Sequence, residues 1–299
     1  MKEERVSTSG KLLTSAKILG FLLIIASLAS FFLTGTDERS GANIAVIPLH
    51  GEIYATGHSG FSSDIVSSDE IVLLLDKADS DPGIKAIILD INSPGGSPVG
   101  SDEIGQKVKT LNKTTVAVIR EVGASGSYWI ASSADYVFAS RLSLVGSIGV
   151  IGSYLDFSGL MRDYNVTYQR YVSSDLKDMG SPFKEPSEKE RKVMQKLIDD
   201  MNTMFIIEVA GNRNMSEKIV REIATGQVYL GTEAKELGLV DYLGSRQDAI
   251  AFLESKLNIT AVPSTLVPEK SWMDLIPTIS YAGKTGKFIN PGSNKLSLA

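Results

Sequence analysis

The sequence predicts an α/β domain built on a mostly parallel sheet, preceded by one apolar segment near the N-terminus. Three observations predict it. Between residues 43 and 140, short runs rich in β-branched residues alternate with amphipathic stretches, the order that right-handed βαβ crossovers require. One run, IKAIILDI (84–91), is continuously apolar, as a strand covered by helices on both faces must be. Near the N-terminus, ILGFLLIIASLASFFLTG (18–35) is uncharged over close to the ~20 residues that a membrane-spanning helix needs.

The flanks of that apolar run orient it. Lys2, Arg5, Lys11 and Lys17 precede it, diluted by Glu3 and Glu4, and Asp37, Glu38 and Arg39 follow. The positive-inside bias puts residues 1–17 in the cytoplasm and the chain after about residue 36 on the external side. A cleaved signal peptide is the competing reading, but its apolar core would be shorter and no A-x-A site stands near the end. An uncleaved anchor over 18–35 is the expectation, with the domain that follows it periplasmic or extracellular.

Residues 42–257 read as one globular unit, and its elements follow in order. NIAVIPLHGEI (43–53) is an apolar, β-branched run bounded by Gly and predicts a strand. SSDEIVLLLDKAD (67–79) has helical spacing, with Ser67 or Ser68 as N-cap. DPG makes a turn, IKAIILDI a buried strand, and SPGG (93–96) a loop; a helix runs from about Ser101 to Leu111. TVAVIRE (115–121) is a strand, the GASGS turn starts another helix, and DYVFAS (135–140) is a further strand.

The second half is more helical. Ser187 and Glu190 stand in capping-box register at the head of a long helix, MSEKIVREIATG makes a shorter one stopped by Gly226, and Ser245 opens the last. Residues 258–299 are rich in Pro, Gly, Lys and Ser without a clear period, and read as a flexible tail or a docking segment.

Composition narrows the function. A net charge of −5 offers no basic surplus for phosphates, so a nucleic-acid partner is not expected. The absence of cysteine excludes disulfides, a thiolate nucleophile and thiolate metal sites. Ser125, in GASGSYWIASSAD (123–135), precedes a helix and could be displayed as a nucleophile, yet serine needs a base to take its proton. G-x-S-x-G is absent, and both histidines, His50 and His58, lie upstream, whereas an α/β-hydrolase needs one downstream. A lysine is the sensible base; its amine must be neutral, which burial achieves, but composition does not choose which lysine. The paired glycines of SPGG suit backbone N–H donors to an oxyanion, or equally a tight turn between strand and helix. No nucleotide-binding glycine motif follows that strand.

Taken together, INSPGG, GASGSYWIASSADYVFASRLSLVGSIGVIG, LKDMGSPFKEPSEKER and TGQVYLGTEAKELGLVDYLG resemble the signal peptide peptidase A family of membrane-bound serine proteases. The resemblance spans roughly residues 43–250 and is nearest to the short, single-repeat members. It implies a ClpP/crotonase-like fold. It puts the nucleophile on Ser125, the general-base lysine on Lys177, and the serine that orients that lysine on Ser147. The oxyanion donors would be N–H groups of the Gly95–Gly96 turn and of Gly126. No cofactor or metal is implied. Many relatives have A-S-G-G-Y where this chain has Ser127 at the second glycine.

The expected activity is hydrolysis of remnant signal peptides and other unfolded or membrane-released peptides through an acyl-enzyme. The family also implies a homo-oligomer, in which serine and lysine can come from neighbouring protomers. Three other readings stay open: a related Ser/Lys protease that cuts stomatin-like membrane proteins, a crotonase-type enzyme acting on acyl-CoA, and a catalytically silent membrane-anchored scaffold.

Overall fold

The computed structural model describes residues 17–26, 41–56 and 65–268. Residues 17–26 form a helix, α1, whose apolar side chains are exposed. The expected span 18–35 continues past it into positions outside the described residues, where His58 and residues 269–299 of the tail also fall. Among the described residues no helix is long and apolar enough to cross a membrane.

From residue 44 the chain runs β1 (Ile44–His50), β2 (Glu52–Tyr54), β3 (Ile65–Ser67), α2 (Ser68–Ser80), β4 (Ala86–Ser93), α3 (Pro98–Lys109), β5 (Thr114–Ala124), α4 (Gly126–Ser132), β6 (Tyr136–Ala139) and β7 (Leu144–Gly146). It continues through α5 (Ser158–Asp163), α6 (Glu188–Asn212), α7 (Glu217–Ile223), β8 (Val228–Leu230), α8 (Gly231–Glu236), β9 (Tyr242–Leu243), α9 (Arg246–Leu257) and β10 (Pro263–Thr265).

The main sheet has the order β10-β1-β4-β5-β6-β9. All these neighbours are parallel; β7 joins the far half of β5, and β8 pairs antiparallel with β7. The apolar run of β4 is explained by cover on both faces. Ile87, Leu89 and Ile91 enter a large core with α2, α3, α4 and α6, while Ala86 and Ile88 meet Ala249 and Leu253 of α9 on the other face. This is the mixed α/β, mostly parallel architecture that the alternating runs predict, and it fits a ClpP-like fold.

Details differ from the expectation where local chemistry intervenes. The expected strand 43–53 is broken at Gly51, which has φ +101° and turns the chain from β1 into β2. α3 starts at Pro98 rather than Ser101, because Ser97 caps it and Pro suits the first helical position. Ser187 and Ser245 form full capping boxes with Glu190 and Asp248. The sheet also continues past residue 257: β10 lies beside β1, Leu266 is buried, and the compact unit ends at Val267.

Residues 147–187 behave differently from the rest. Their one helix is the short α5, and most of their side chains are exposed, including Ile151 at 87% and Tyr171 at 93%. This excursion carries Lys177.

Candidate active site

β5 changes partner on its way to Ser125. Its first half pairs with β6 and its second half, Val122–Ala124, with β7. Between these halves the β4 register shifts: Asn92 alone faces Arg120, Glu121 and Val122. Such a bulge bends a strand and re-aims the residues beyond it. Here Asn92 Oδ1 accepts from the Val122 N–H at 3.1 Å, and the buried Ser143 hydroxyl donates to the carbonyls of Ile119 and Arg120.

Ser125 comes next, as the N-cap of α4, with φ +54° and ψ −129°. Non-glycine residues avoid that region, and where they occupy it the surroundings over-determine them. The Ser125 N–H donates to the Gly146 carbonyl at 2.8 Å, and its own carbonyl accepts from the N–H groups of Tyr128 and Trp129. α4 behind it is wholly buried, and Trp129 stacks on Phe205 of α6 with ring centroids 4.9 Å apart.

The SPGG loop packs directly on this junction. Gly95 and Gly96 have φ +101° and +155°, so the turn itself favours glycine. Close approach requires it as well: a Cβ on Gly95 would lie 2.8 Å from the Gly126 nitrogen and from Ser125 Cβ, and one on Gly96 would lie 2.2 Å from the Ile53 carbonyl oxygen. The loop is pinned to β2 by Ile53 N–H to Gly95 O at 2.9 Å and Ser97 N–H to Ile53 O at 2.7 Å. The Gly95 N–H donates to Ser93 Oγ at 3.1 Å. The Gly126 N–H opens α4 and has no intrahelical acceptor. A Cβ on Gly126 would stand 3.5 Å from the Gly96 nitrogen, so the Gly96 and Gly126 amides are near neighbours.

Two cavities share the Ser125 wall. One, of about 90 Å³, is lined by Gly96, Pro98, Gly126, Trp129, Ile151 and Phe205. The other, of about 460 Å³, brings Ser125 together with Ser147, Asp199, Asn202, Thr225 and Gly226. Ser147 also sits at positive φ, +49°, and its hydroxyl donates to the Gly226 carbonyl at 3.2 Å.

Ser125, Ser147, Gly95, Gly96 and Gly126 therefore converge. Lys177 does not line either cavity; it is exposed on the excursion, and its ammonium has no hydrogen-bond or ion-pair partner among the described residues. His50 lies apart from Ser125, with its Nε2 3.6 Å from the buried Asp90 carboxylate. Ser127, which stands where the family pattern leads one to expect glycine, needs no glycine conformation. It is helical and fully buried, and its hydroxyl bridges the carbonyls of Ser93 (2.7 Å) and Ala124 (2.8 Å). Sequence reasoning also passed over Trp129, Phe205 and Asn202, which motif patterns do not distinguish from ordinary core or helix residues.

A model of peptidase family S49 matches residues 107–260. The chain belongs to peptidase family S49. The match covers the Ser125, Ser147 and Lys177 segments together, and it makes the protein a serine peptidase by class. Among relatives, the chain is 37% identical to a protein named signal peptide peptidase SppA from Enterococcus faecium, over 75% of this chain and 66% of that one. It is 33% identical to a Methanocaldococcus jannaschii protein named as a protease, over 80% of this chain and 78% of that one. It is 34% identical to Protease 4 of Haemophilus influenzae, over 72% of this chain but 35% of that protein. The resemblance read from the motifs is thus borne out at the level of the family.

Proposed function

We propose that this chain is a membrane-anchored serine endopeptidase in which Lys177 activates Ser125 to hydrolyse remnant signal peptides and other unfolded or membrane-released peptides. The observation that carries the reading is the junction at Ser125: a strained serine beside two neighbouring glycine amides, with a second serine, Ser147, in the same cavity. The neutral amine of Lys177 takes the Ser125 hydroxyl proton as Oγ attacks the scissile carbonyl carbon. The N–H groups of Gly96 and Gly126 hold the oxyanion. The lysine ammonium then protonates the leaving amine, and the acyl-enzyme remains. Water, deprotonated by the same lysine, cleaves the ester and restores Ser125. Ser147 orients the amine.

The small cavity at the glycine amides supports this substrate class. Its apolar lining of Pro98, Trp129, Ile151 and Phe205 suits a small or apolar side chain at the residue whose carbonyl is cut. Membrane-released peptides supply such residues in unfolded form. The uncharged run 18–35, of which 18–26 is helical, supports a single-pass anchor with a cytoplasmic N-terminus and an external catalytic domain.

Lys177 lies on an exposed excursion rich in apolar side chains, which supports a homo-oligomer in which one protomer's lysine serves its neighbour's serine. Cleavage of stomatin-like membrane proteins would use the same chemistry on another substrate.

The test is to replace Ser125 and Lys177 separately by Ala and assay an apolar reporter peptide. Each variant is expected to be inactive, and retained activity in either one overturns the dyad. Co-expression of the two variants restores activity where lysine and serine belong to different protomers. Failure to restore it puts both on one chain.

A further inference from the structure

Between residues 166 and 190 the chain carries four cations: Arg170, Lys177, Lys184 and Lys189. Three are paired. Arg170 grips Asp178 with a two-pronged fork, Nε to Oδ2 at 2.7 Å and Nη2 to Oδ1 at 2.8 Å. Lys184 pairs with the buried Glu190 and stands 3.7 Å from Asp178 Oδ1, and Lys189 lies 3.5 Å from Asp175 Oδ2. Lys177 is the one left without a partner among the described residues, although Asp178 is the next residue in the chain.

That pairing choice has a chemical consequence. A carboxylate beside an ammonium favours the charged form, and a charged lysine is no base. Asp178 is the carboxylate best placed by sequence to hold a proton on Lys177. Both of its oxygens are instead occupied, and its side chain is only 13% exposed. A guanidinium can occupy both oxygens of one carboxylate in a single plane, whereas an ammonium is a point charge.

We infer that Arg170 is a positioning residue for the reaction: by binding both oxygens of Asp178 it withholds that carboxylate from Lys177 and fixes the turn that presents the base. The inference rests on Lys177 acting as the base for Ser125. The charged groups around the turn are Asp175 and Asp178 within it, Arg170 before it, and Lys184, Glu185, Glu188, Lys189, Glu190 and Arg191 after it, with Glu185 and Glu188 both turned to Arg191. Removing Arg170 frees Asp178 to turn to Lys177. Removing Asp178 leaves Arg170 and Lys184 without that counter-ion and pushes the other way.

The experiment compares kcat/KM against pH for the full chain and for Arg170→Gln, Asp178→Asn, Arg170→Lys and the Arg170→Gln/Asp178→Asn pair, using the reporter peptide. Arg170→Gln is expected to move the acidic limb to higher pH by about one unit, a loss of about tenfold on that limb that is recovered at alkaline pH. Asp178→Asn alone moves the limb to lower pH. The double variant returns it towards the parent, and Arg170→Lys lies between Arg170→Gln and the parent.

A uniform loss at every pH in Arg170→Gln makes the fork merely structural and overturns the inference, as does a double variant that keeps the upward shift. If Arg170→Gln does not fold, Asp178→Asn decides, and an upward or absent shift overturns it. Lys177→Ala separates the two levels. Full activity there removes the base assignment itself, whereas inactivity with an unshifted Arg170→Gln removes only the role of Arg170.

Discussion

Ser127 Oγ donates to the carbonyl of Ser93 at 2.7 Å, tying the helix behind Ser125 to the start of the SPGG loop. The same hydroxyl reaches the Ala124 carbonyl at 2.8 Å, so one buried side chain joins both halves of the site. Ser127→Ala leaves those carbonyls short of a donor. Stability should fall by about 1 kcal/mol in urea denaturation. kcat should fall several-fold as the loop loosens against α4, and unchanged kinetics would count against this tie.

Gly96 has no room for a side chain. With φ +155° and the Ile53 carbonyl oxygen 2.2 Å from where a Cβ would stand, Gly96→Ala must push the loop off β2. If the Gly96 N–H holds the oxyanion as proposed, its loss costs about 10²–10³ in kcat, and that range is the expected result in single-turnover assays.

Phe205 closes the small cavity beside the Gly96 and Gly126 amides, stacked on Trp129. Phe205→Leu enlarges it while keeping an apolar wall. Peptides with a larger residue at the cut should gain about tenfold relative to those with alanine, as a pocket change of about one or two methylenes allows. A competition assay with paired peptides reads this ratio directly.

Glu190 sets an acid limit for the excursion that carries Lys177. Its hydrogen bonds from Lys184 and then from Ser187 pull the carboxyl from an ordinary 4.5 down to about 2. A depressed carboxyl contributes stability above its unfolded value and loses it as pH falls through the folded one. The stability gap between the parent and Glu190→Gln should therefore be full at pH 7 and shrink between about pH 4.5 and 2. Urea midpoints at several pH values measure it.

Much of the fold was legible in the sequence because it rests on periodicity and caps. The apolar run 84–91 announced a strand covered on both faces, and Ser187 and Ser245 announced their helices through side-chain chemistry within three residues. The short strands were not legible. β7, β8 and β10 have three residues each and owe their conformation to β5, β7 and β1, which lie far off in the chain. At the site, GASGS and SPGG were visible as motifs, but their mutual contact was not. Arg170 gave no signal at all, since its meaning lies in which of several nearby carboxylates it takes.

β10 has a consequence for how the chain is made. β1 is among the first elements of the domain to leave the ribosome, yet the outer edge of its first half, Ile44–Val46, is covered by Pro263–Thr265, the last element among the described residues. Throughout synthesis β1 carries a row of unpaired backbone groups, a ready template for another strand. A chain cut at residue 257 would keep that edge bare for its lifetime. Its expected fate is strand-to-strand aggregation, however sound its catalytic groups.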